Sequence, residues 1–573
     1  MALSTKKEHM DNAEKIVRRI IYCAGAIVFI VLIITIAYPS IILVKNSFIN
    51  DGIFSFQNYI EILTDKITYI IFRNTFIVAL IGAIGATMLG VFIAWLIART
   101  DIPFKNIWRK VLIIPYLIPP FIGGIAWVYL LGPVGILNKI WMALTNSADP
   151  LWVIYGRTGI ILVMILYSFP IAYMVTLGTF KQMNPSLEEA ARISGSGIIS
   201  TLLNITAPLM MPSIGGSAIL IFMSMMANFG IPAVIGFPER YYVMTTQIYL
   251  TILNFDKANN LQIAATLSML LVVVALIIMQ LQRLIQRGKS YVIISGKSSQ
   301  PQLVKLGKKK YIAIAFLGLL VLFTVVLPIF AILANSLIKA IGLTFTIDNL
   351  TLMNYKRLLF DIPKTQRAIK NGLMLAAGSA TVIVLVSLII SYMVVKLKVK
   401  GSRVLEALII LPYAVPGVVV ALAFILAFVK PLPIINLTIY STIWIIFLAY
   451  VARFLTFGIR SISAAFEQVD ESLDDAARIS GADFVTSFKD IEIPLIRTNI
   501  FAGWFLAFIP SLTELTLSIL LFSVGNETLG TVVFGLHQEG KMCLTAALAF
   551  LIIVMIVTLN LIANKITKGK LGY

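Results

Sequence analysis

Twelve separate runs of mostly apolar residues punctuate this sequence, near 20–44, 75–98, 111–132, 159–179, 212–236, 262–281, 311–337, 373–395, 405–429, 438–458, 500–523 and 544–563. Each is close to the roughly 20 residues a helix needs to cross a bilayer. Hydrocarbon offers a backbone no partner except its own helix, so such runs fold as spanning helices. Only 13% of the residues are charged against 59% hydrophobic, where a soluble domain carries roughly 25% charge. That balance excludes a soluble enzyme, a disordered chain and a nucleic-acid-binding module. The net charge of +20 would otherwise suggest a nucleic-acid partner, but in a chain surrounded by lipid it reads as anchoring at the cytoplasmic face. The expected fold is an all-α polytopic membrane protein. Cys23 and Cys543 lie at opposite ends, and His9 and His537 are the only histidines. No metal site or histidine-based catalytic cluster is expected from so few ligands.

The first run follows the charged segment 15–19 without a small-residue cleavage site, and reads as a retained span rather than a signal peptide. Twelve spans put both termini on one side. The two tails and the even-numbered loops hold about 30 of the 46 Lys and Arg residues, among them Lys105, Arg109, Lys308, Lys309, Lys310 and Lys398. The opposite loops hold about half as many, which predicts that both termini are cytoplasmic.

The halves repeat each other. Residues 185–208 read PSLEEAARISGSGIISTLLNITAP, and 471–494 read ESLDDAARISGADFVTSFKDIEIP. Gly195 and Gly481 are 286 residues apart, as are Pro208 and Pro494, whereas Pro115 and Pro412 are 297 apart. A longer third loop in the first half accounts for the difference. The chain divides into a first unit of six spans (1–282), a basic Ser- and Gly-containing linker (283–310) and a second unit of six spans (311–573). Both copies share one orientation, so an axis along the membrane normal relates them.

The repeated loop between the fourth and fifth spans carries the most information. Ser186 followed by Glu189 has the form of a capping box, and Ser472 with Asp475 repeats it with the shorter acid. Ala190, Ala191 and Arg192 follow, matched by Ala476, Ala477 and Arg478; Gly195 and Gly481 then suit a left-handed helix stop. The spacing predicts a helix of about two turns with a small-residue face. So short a helix is marginal in water unless braced or docked.

Glu189-Ala190-Ala191, Gly195, Ile205 and Ala207-Pro208 match the EAA-x3-G-x9-I-x-L-P signature of binding-protein-dependent ABC importer permeases, and the second copy fits with Asp475, Ala476, Ala477, Gly481, Ile491, Ile493 and Pro494. Ala207 and Ile493 replace the usual Leu, and Asp475 replaces Glu. The resemblance covers nearly the whole chain. It implies two tandem six-helix permease units whose loops 185–208 and 471–494 are coupling helices docking on cytoplasmic ABC ATPase subunits, two copies in the simplest case. It also implies an extracytoplasmic substrate-binding protein, a place in the cytoplasmic membrane of a prokaryote, and alternating access driven from outside the chain.

No P-loop is expected in the chain. Gly288-Lys289-Ser290 and Gly296-Lys297-Ser298 lack the glycine five residues earlier that lets amides wrap a phosphate; Arg283 and Tyr291 stand there. The permease is therefore expected to be no enzyme and to hold no cofactor, with ATP and Mg on the partner ATPase. A secondary transporter of the major facilitator type shares the span count, but its glycine- and Asp-Arg-containing loop between spans two and three is replaced here by residues 98–105, ARTDIPFK.

Charges within spans usually face a bundle interior or a cavity. Glu514 in the eleventh span matches Asn228 in the fifth, and Arg453 in the tenth matches Tyr167 in the fourth. Two readings stand: Arg453 and Glu514 form a structural ion pair, or Asn228, Glu514 and Arg453 border the translocation path or its gate. Gly230-Ile231-Pro232 is expected to break the helix after Asn228. The stretches Ala227–Gly230, Thr246–Tyr249 and Thr513–Leu521 resemble fused ferric-iron permeases, with phosphonate (2-aminoethylphosphonate-type) permeases as the alternative.

Overall fold

The computed structural model describes residues 19, 21–256, 258–286, 303–343, 346–399, 401–431, 436 and 438–567. Both Gly-Lys-Ser triplets lie outside the described residues, as do the side chains of Asp475 and Arg478. Eleven of the described helices are long and apolar enough to cross a membrane, beginning with Ile21–Ser47, Lys66–Arg99, Pro120–Thr145, Arg157–Gln182, Ile198–Met226 and Asn260–Leu284. Lys309–Ser336, Pro363–Lys396, Ile443–Glu467, Val485–Leu512 and Met542–Ile566 complete them. Val404–Ala414 and Gly417–Phe428 form a pair bent by 109°, a twelfth span if counted as one.

Four expected spans are shaped differently from the plain apolar rods the sequence suggests. The third does not run unbroken through 111–132: short helices end at Leu117, and a new helix, Pro120–Leu131, starts after Pro119. The ninth bends at the equivalent Pro416. In both places the proline disfavours a helical conformation for the residue before it and has no amide to donate. The fifth span ends at Met226 rather than near 236, and the eleventh at Leu512 rather than near 523. A break follows each, at 227–229 and 513–517, so the first break precedes Gly230-Ile231-Pro232, which instead opens a new helical stretch.

The described residues form two compact units, and these are not the two sequence halves. One comprises described residues within Met1–Phe54, Leu359–Gly535 and Val554–Gly572; the other lies within Ser55–Leu358 and Leu536–Ile553. In the first unit, Tyr38–Ser47 of span one packs on Gly417–Phe428, with Tyr38 against Phe428 at 6.1 Å between ring centroids. In the second, Leu327–Ser336 of span seven packs on Pro120–Leu131, whose residues 121–131 are all buried.

Small residues set the closest helix approaches. A Cβ on Gly90 in span two would stand 2.5 Å from the carbonyl oxygen of Phe169 and 2.8 Å from the Cβ of Ala172 in span four. In the other repeat the glycine is on the opposite helix: a Cβ on Gly458 of span ten would meet the Ser387 hydroxyl of span eight at 2.5 Å. The repeat conserves the need for a gap at this crossing while changing which helix supplies it.

Candidate functional site

The two repeated loops fold as helices Ser186–Ile193 and Glu471–Ile479. Their starts differ from the expected capping box. Pro185 occupies the cap position of the first helix without a side-chain bond, and Ser186 is already helical. The amide of Ser186 instead donates to Asn184 Oδ1 at 3.0 Å, and that of Ser472 donates to Asp470 Oδ1 at 2.9 Å. Asx side chains readily bond the backbone two residues on, which moves the helix start ahead of the serine. The amide and hydroxyl of Ser472 hold the Asp470 carboxyl below the ordinary carboxylate range.

The helix ends match the expectation. Gly195 has φ +90° and Gly481 has φ +86°. The amide of Ser196 donates to Ala191 O at 3.0 Å and that of Gly195 to Arg192 O at 3.0 Å. These are the paired bonds of a Schellman motif. In the second loop, the amide of Ala482 donates to Ala477 O at 3.0 Å. A Cβ at either glycine would meet nothing within 4 Å, so backbone conformation rather than crowding selects glycine at both.

Each helix has two unlike faces. Leu187, Ala190 and Ile193 are spaced three apart and share one side; all are exposed, with Ile193 at 88%. Leu473, Ala476 and Ile479 repeat the stripe, again with the isoleucine at 88%. Toward the protein, Ala477 is buried, Ala191 and Glu189 are half-buried, and Glu188 is buried. Glu188 makes an ion pair with span two: its Oε2 lies 2.9 Å from Nε of Arg99, the last residue of that span. Its Oε1 accepts from the Thr206 hydroxyl at 2.7 Å. The Arg99 guanidinium also stacks over Phe180, 5.3 Å from the ring centroid. In the second repeat, Lys396 at the Arg99 position lies 3.6 Å from Glu492, which occupies the Thr206 position. Sequence reasoning missed Leu187, Ile193, Leu473, Ile479, Glu188 and Arg99. Recurrence of the exposed residues at the 286-residue offset was the available signal for the apolar stripe.

The three polar residues expected within spans are not brought together by an ion pair, and Asn228 and Glu514 lie just beyond the ends of their spans. Arg453 donates to the carbonyls of Pro412 at 3.3 Å and Val415 at 3.1 Å, closing the end of the helix before the ninth-span bend. Glu514 Oε1 accepts from the Leu517 amide at 3.0 Å, and Asn228 Oδ1 accepts from the Ile231 amide at 3.1 Å. These two bonds are equivalent at the 286-residue offset. Both side chains thus stabilise the turn after a shortened span. His537 lies in the helix Leu529–Gln538, and burial lowers its imidazole to about 4, leaving it neutral at pH 7. Among the described residues, no three His, Cys, Asp or Glu side chains are grouped to hold a metal.

Comparison with known proteins gives a match to the family described as binding-protein-dependent transport system inner membrane component, over residues 86–291 and again over 391–568. The chain is 28% identical over 550 residues to the ferric transport system permease protein FbpB of Actinobacillus pleuropneumoniae, covering 94% of this chain and 77% of the relative. It is 29% identical over 534 residues to the putative ferric transport system permease protein FbpB 1 of Haemophilus influenzae, covering 92% and 81% respectively. A solved bacterial ABC transporter involved in the import of the acidic polysaccharide alginate superposes with TM-score 0.37 and 18% identity, covering 46% of this chain and 96% of its own.

Proposed function

This chain belongs to the family of binding-protein-dependent transport system inner membrane components, and from that premise we propose that it translocates ferric iron using ATPase subunits on separate chains. It is an ABC importer permease, a multi-span membrane protein with the family domain present twice. Membership sets aside the major facilitator alternative. The two fused relatives are ferric transport permeases by name, which supports ferric iron as cargo delivered by an extracytoplasmic binding protein. The basic residues gathered on the tails and even loops support a cytoplasmic location for both termini and both loop helices.

The observation that carries the ATPase reading is the duplicated apolar stripe: Leu187, Ala190 and Ile193, and Leu473, Ala476 and Ile479, exposed on short helices in polar loops. An amphipathic helix that presents such anchors fits a groove on a partner. Alternating access follows when nucleotide-driven closure of two such partners moves the loops.

Uptake of ferric radioiron by cells is expected to disappear on deletion of the chain, to stop on ATP depletion and to survive a protonophore. Ile193→Glu with Ile479→Glu is expected to insert normally and transport nothing. Uptake sustained by an ion gradient alone refutes the ATP-driven reading. Intact iron uptake with lost growth on 2-aminoethylphosphonate as phosphorus source replaces iron with a phosphonate.

A further inference from the structure

The inner face of the first loop helix meets a junction that the docking reading does not use. Arg99 terminates span two, and four further segments meet around it and Glu188. Its guanidinium pairs with Glu188 of the loop helix and lies over Phe180 in the last turn of span four. Thr206, at the foot of span five, holds the other oxygen of Glu188. The backbone is fixed as well: the Val304 amide donates to Arg99 O at 2.8 Å, and the Asp101 amide donates to Val304 O at 3.1 Å. One step further, the Leu306 amide donates to Asp101 Oδ1 at 2.8 Å. Residues 303–306 close the linker and lead directly into span seven.

We propose that Arg99 and Glu188 are positioning residues that join the first loop helix, span two and the linker end into one body, so that force on the loop helix reaches the spans. The inference rests on the coupling role proposed above and deepens it. A two-turn helix is too short to be stable unaided, and its exposed stripe is free for a partner. The inner ion pair is therefore a connection through which displacement of that stripe is passed on. Both side chains are buried, where a charge pair is screened less than at a surface, and a ring and a hydroxyl restrict its geometry. The second repeat keeps a buried cation–carboxylate contact at the same span end, with Lys396 on Glu492. That contact joins span eight to the foot of span eleven, and the Asp474 side chain at the Glu188 position lies outside the described residues.

The test compares full-length variants in lipid nanodiscs and, with the cognate ATPase and binding protein, in proteoliposomes. Arg99→Met or Glu188→Gln alone leaves a buried group without its partner and risks misfolding. Arg99→Met with Glu188→Met removes both charges, a replacement that buried pairs commonly tolerate. That double variant is expected to insert and melt like the parent. Amide exchange across 187–193 is expected to rise, and ATP consumed per cargo molecule is expected to rise by about fivefold or more, the lower range of allosteric coupling. Arg99→Lys is expected to restore both values. Should the double variant not fold, Thr206→Val, which leaves the charges paired, is expected to raise the same two readings to a smaller extent. A parental ATP-to-cargo ratio in a folded double variant overturns the proposal, because a merely stabilising pair would give that result. If ferric iron is not moved even by the parent, the cargo reading fails, and unchanged amide exchange in the double variant then overturns this proposal separately.

Discussion

Replacing the two left-handed glycines isolates the loop helices from everything else in the protein. Gly195 and Gly481 have φ of +90° and +86°, and a Cβ at either would touch nothing within 4 Å. The effect of Gly→Ala is therefore purely conformational. A non-glycine residue held in the left-handed region costs about 1–2 kcal/mol, which reduces the population of the intact turn by about 5- to 30-fold. The glycines lie in separate loops with no shared partner, so the two effects should add to about 2–4 kcal/mol. Asn, which tolerates this region, should be mildest, Ala intermediate and Val most severe. Gly178, inside the helix Arg157–Gln182 and also without a Cβ contact, is the internal control. There Gly→Ala should stabilise by about 0.5–1 kcal/mol. The assay is cargo uptake normalised to the amount of protein in the membrane, across Asn, Ala and Val at one site and at both. Uptake should fall in that order, with insertion unchanged and transport abolished in the Val pair. Parental uptake by the Val pair refutes the reasoning, because it would mean that neither Schellman turn matters to coupling.

At the crossing of spans two and four, Gly90→Ala places a Cβ against backbone atoms of Phe169 and Tyr173, which cannot rotate away. It should destabilise by about 1–3 kcal/mol, read as a lower melting temperature in detergent. Glu514→Gln keeps an acceptor for the Leu517 amide and should leave stability and uptake near parental, whereas Glu514→Leu loses about 1 kcal/mol with that hydrogen bond. Lost uptake in a fully folded Gln variant would show instead that the charge itself serves the translocation path. Glu527 is held below the ordinary carboxylate range, chiefly by hydrogen bonds from Arg367. A depressed carboxylate stabilises above its unfolded value of about 4.3 and loses that contribution as pH falls through the folded value. Protease sensitivity of the 525–527 turn should therefore rise below about pH 4, and Arg367→Gln should flatten that dependence.

The repeat, the helical class and the left-handed stops were legible because each depends on local chemistry. Apolar length predicts spans, and Gly195 and Gly481 supply a conformation most residues avoid. The bends after Pro115 and Pro412 were less legible, because hydropathy counts apolar residues without regard to Pro119 and Pro416. The capping box misplaced the helix starts by giving Ser186 a role that Asn184 takes two residues earlier. Of the two readings of Arg453, the ion pair with Glu514 is not formed, for a different reason. Sequence placed two opposite charges in adjacent spans, but the carbonyls freed at the ninth-span bend are closer acceptors. Packing of span one with the second-half spans depends on long-range contacts that no local pattern encodes.

The two faces of the loop helix explain each other. An eight-residue helix with Leu187 and Ile193 exposed to water would unwind if nothing fixed its inner side. Glu188 supplies that fixture, Asn184 sets the start, and Gly195 ends the helix before it can lengthen toward span five. The motif acid Glu189 lies between these faces, half-buried, one residue from the carboxylate that pairs with Arg99. A sequence signature centred on Glu189, Ala190, Ala191 and Gly195 thus marks the rim of the device, while the residues that connect it to the spans lie beside the signature. The second repeat closes its span end differently. The contact at its span end uses Lys396 and Glu492, chemically unlike Arg99 and Glu188, while the motif and its glycine stop are nearly unchanged. That contact joins span eight to the foot of span eleven, whereas the contact in the first repeat reaches the loop helix itself.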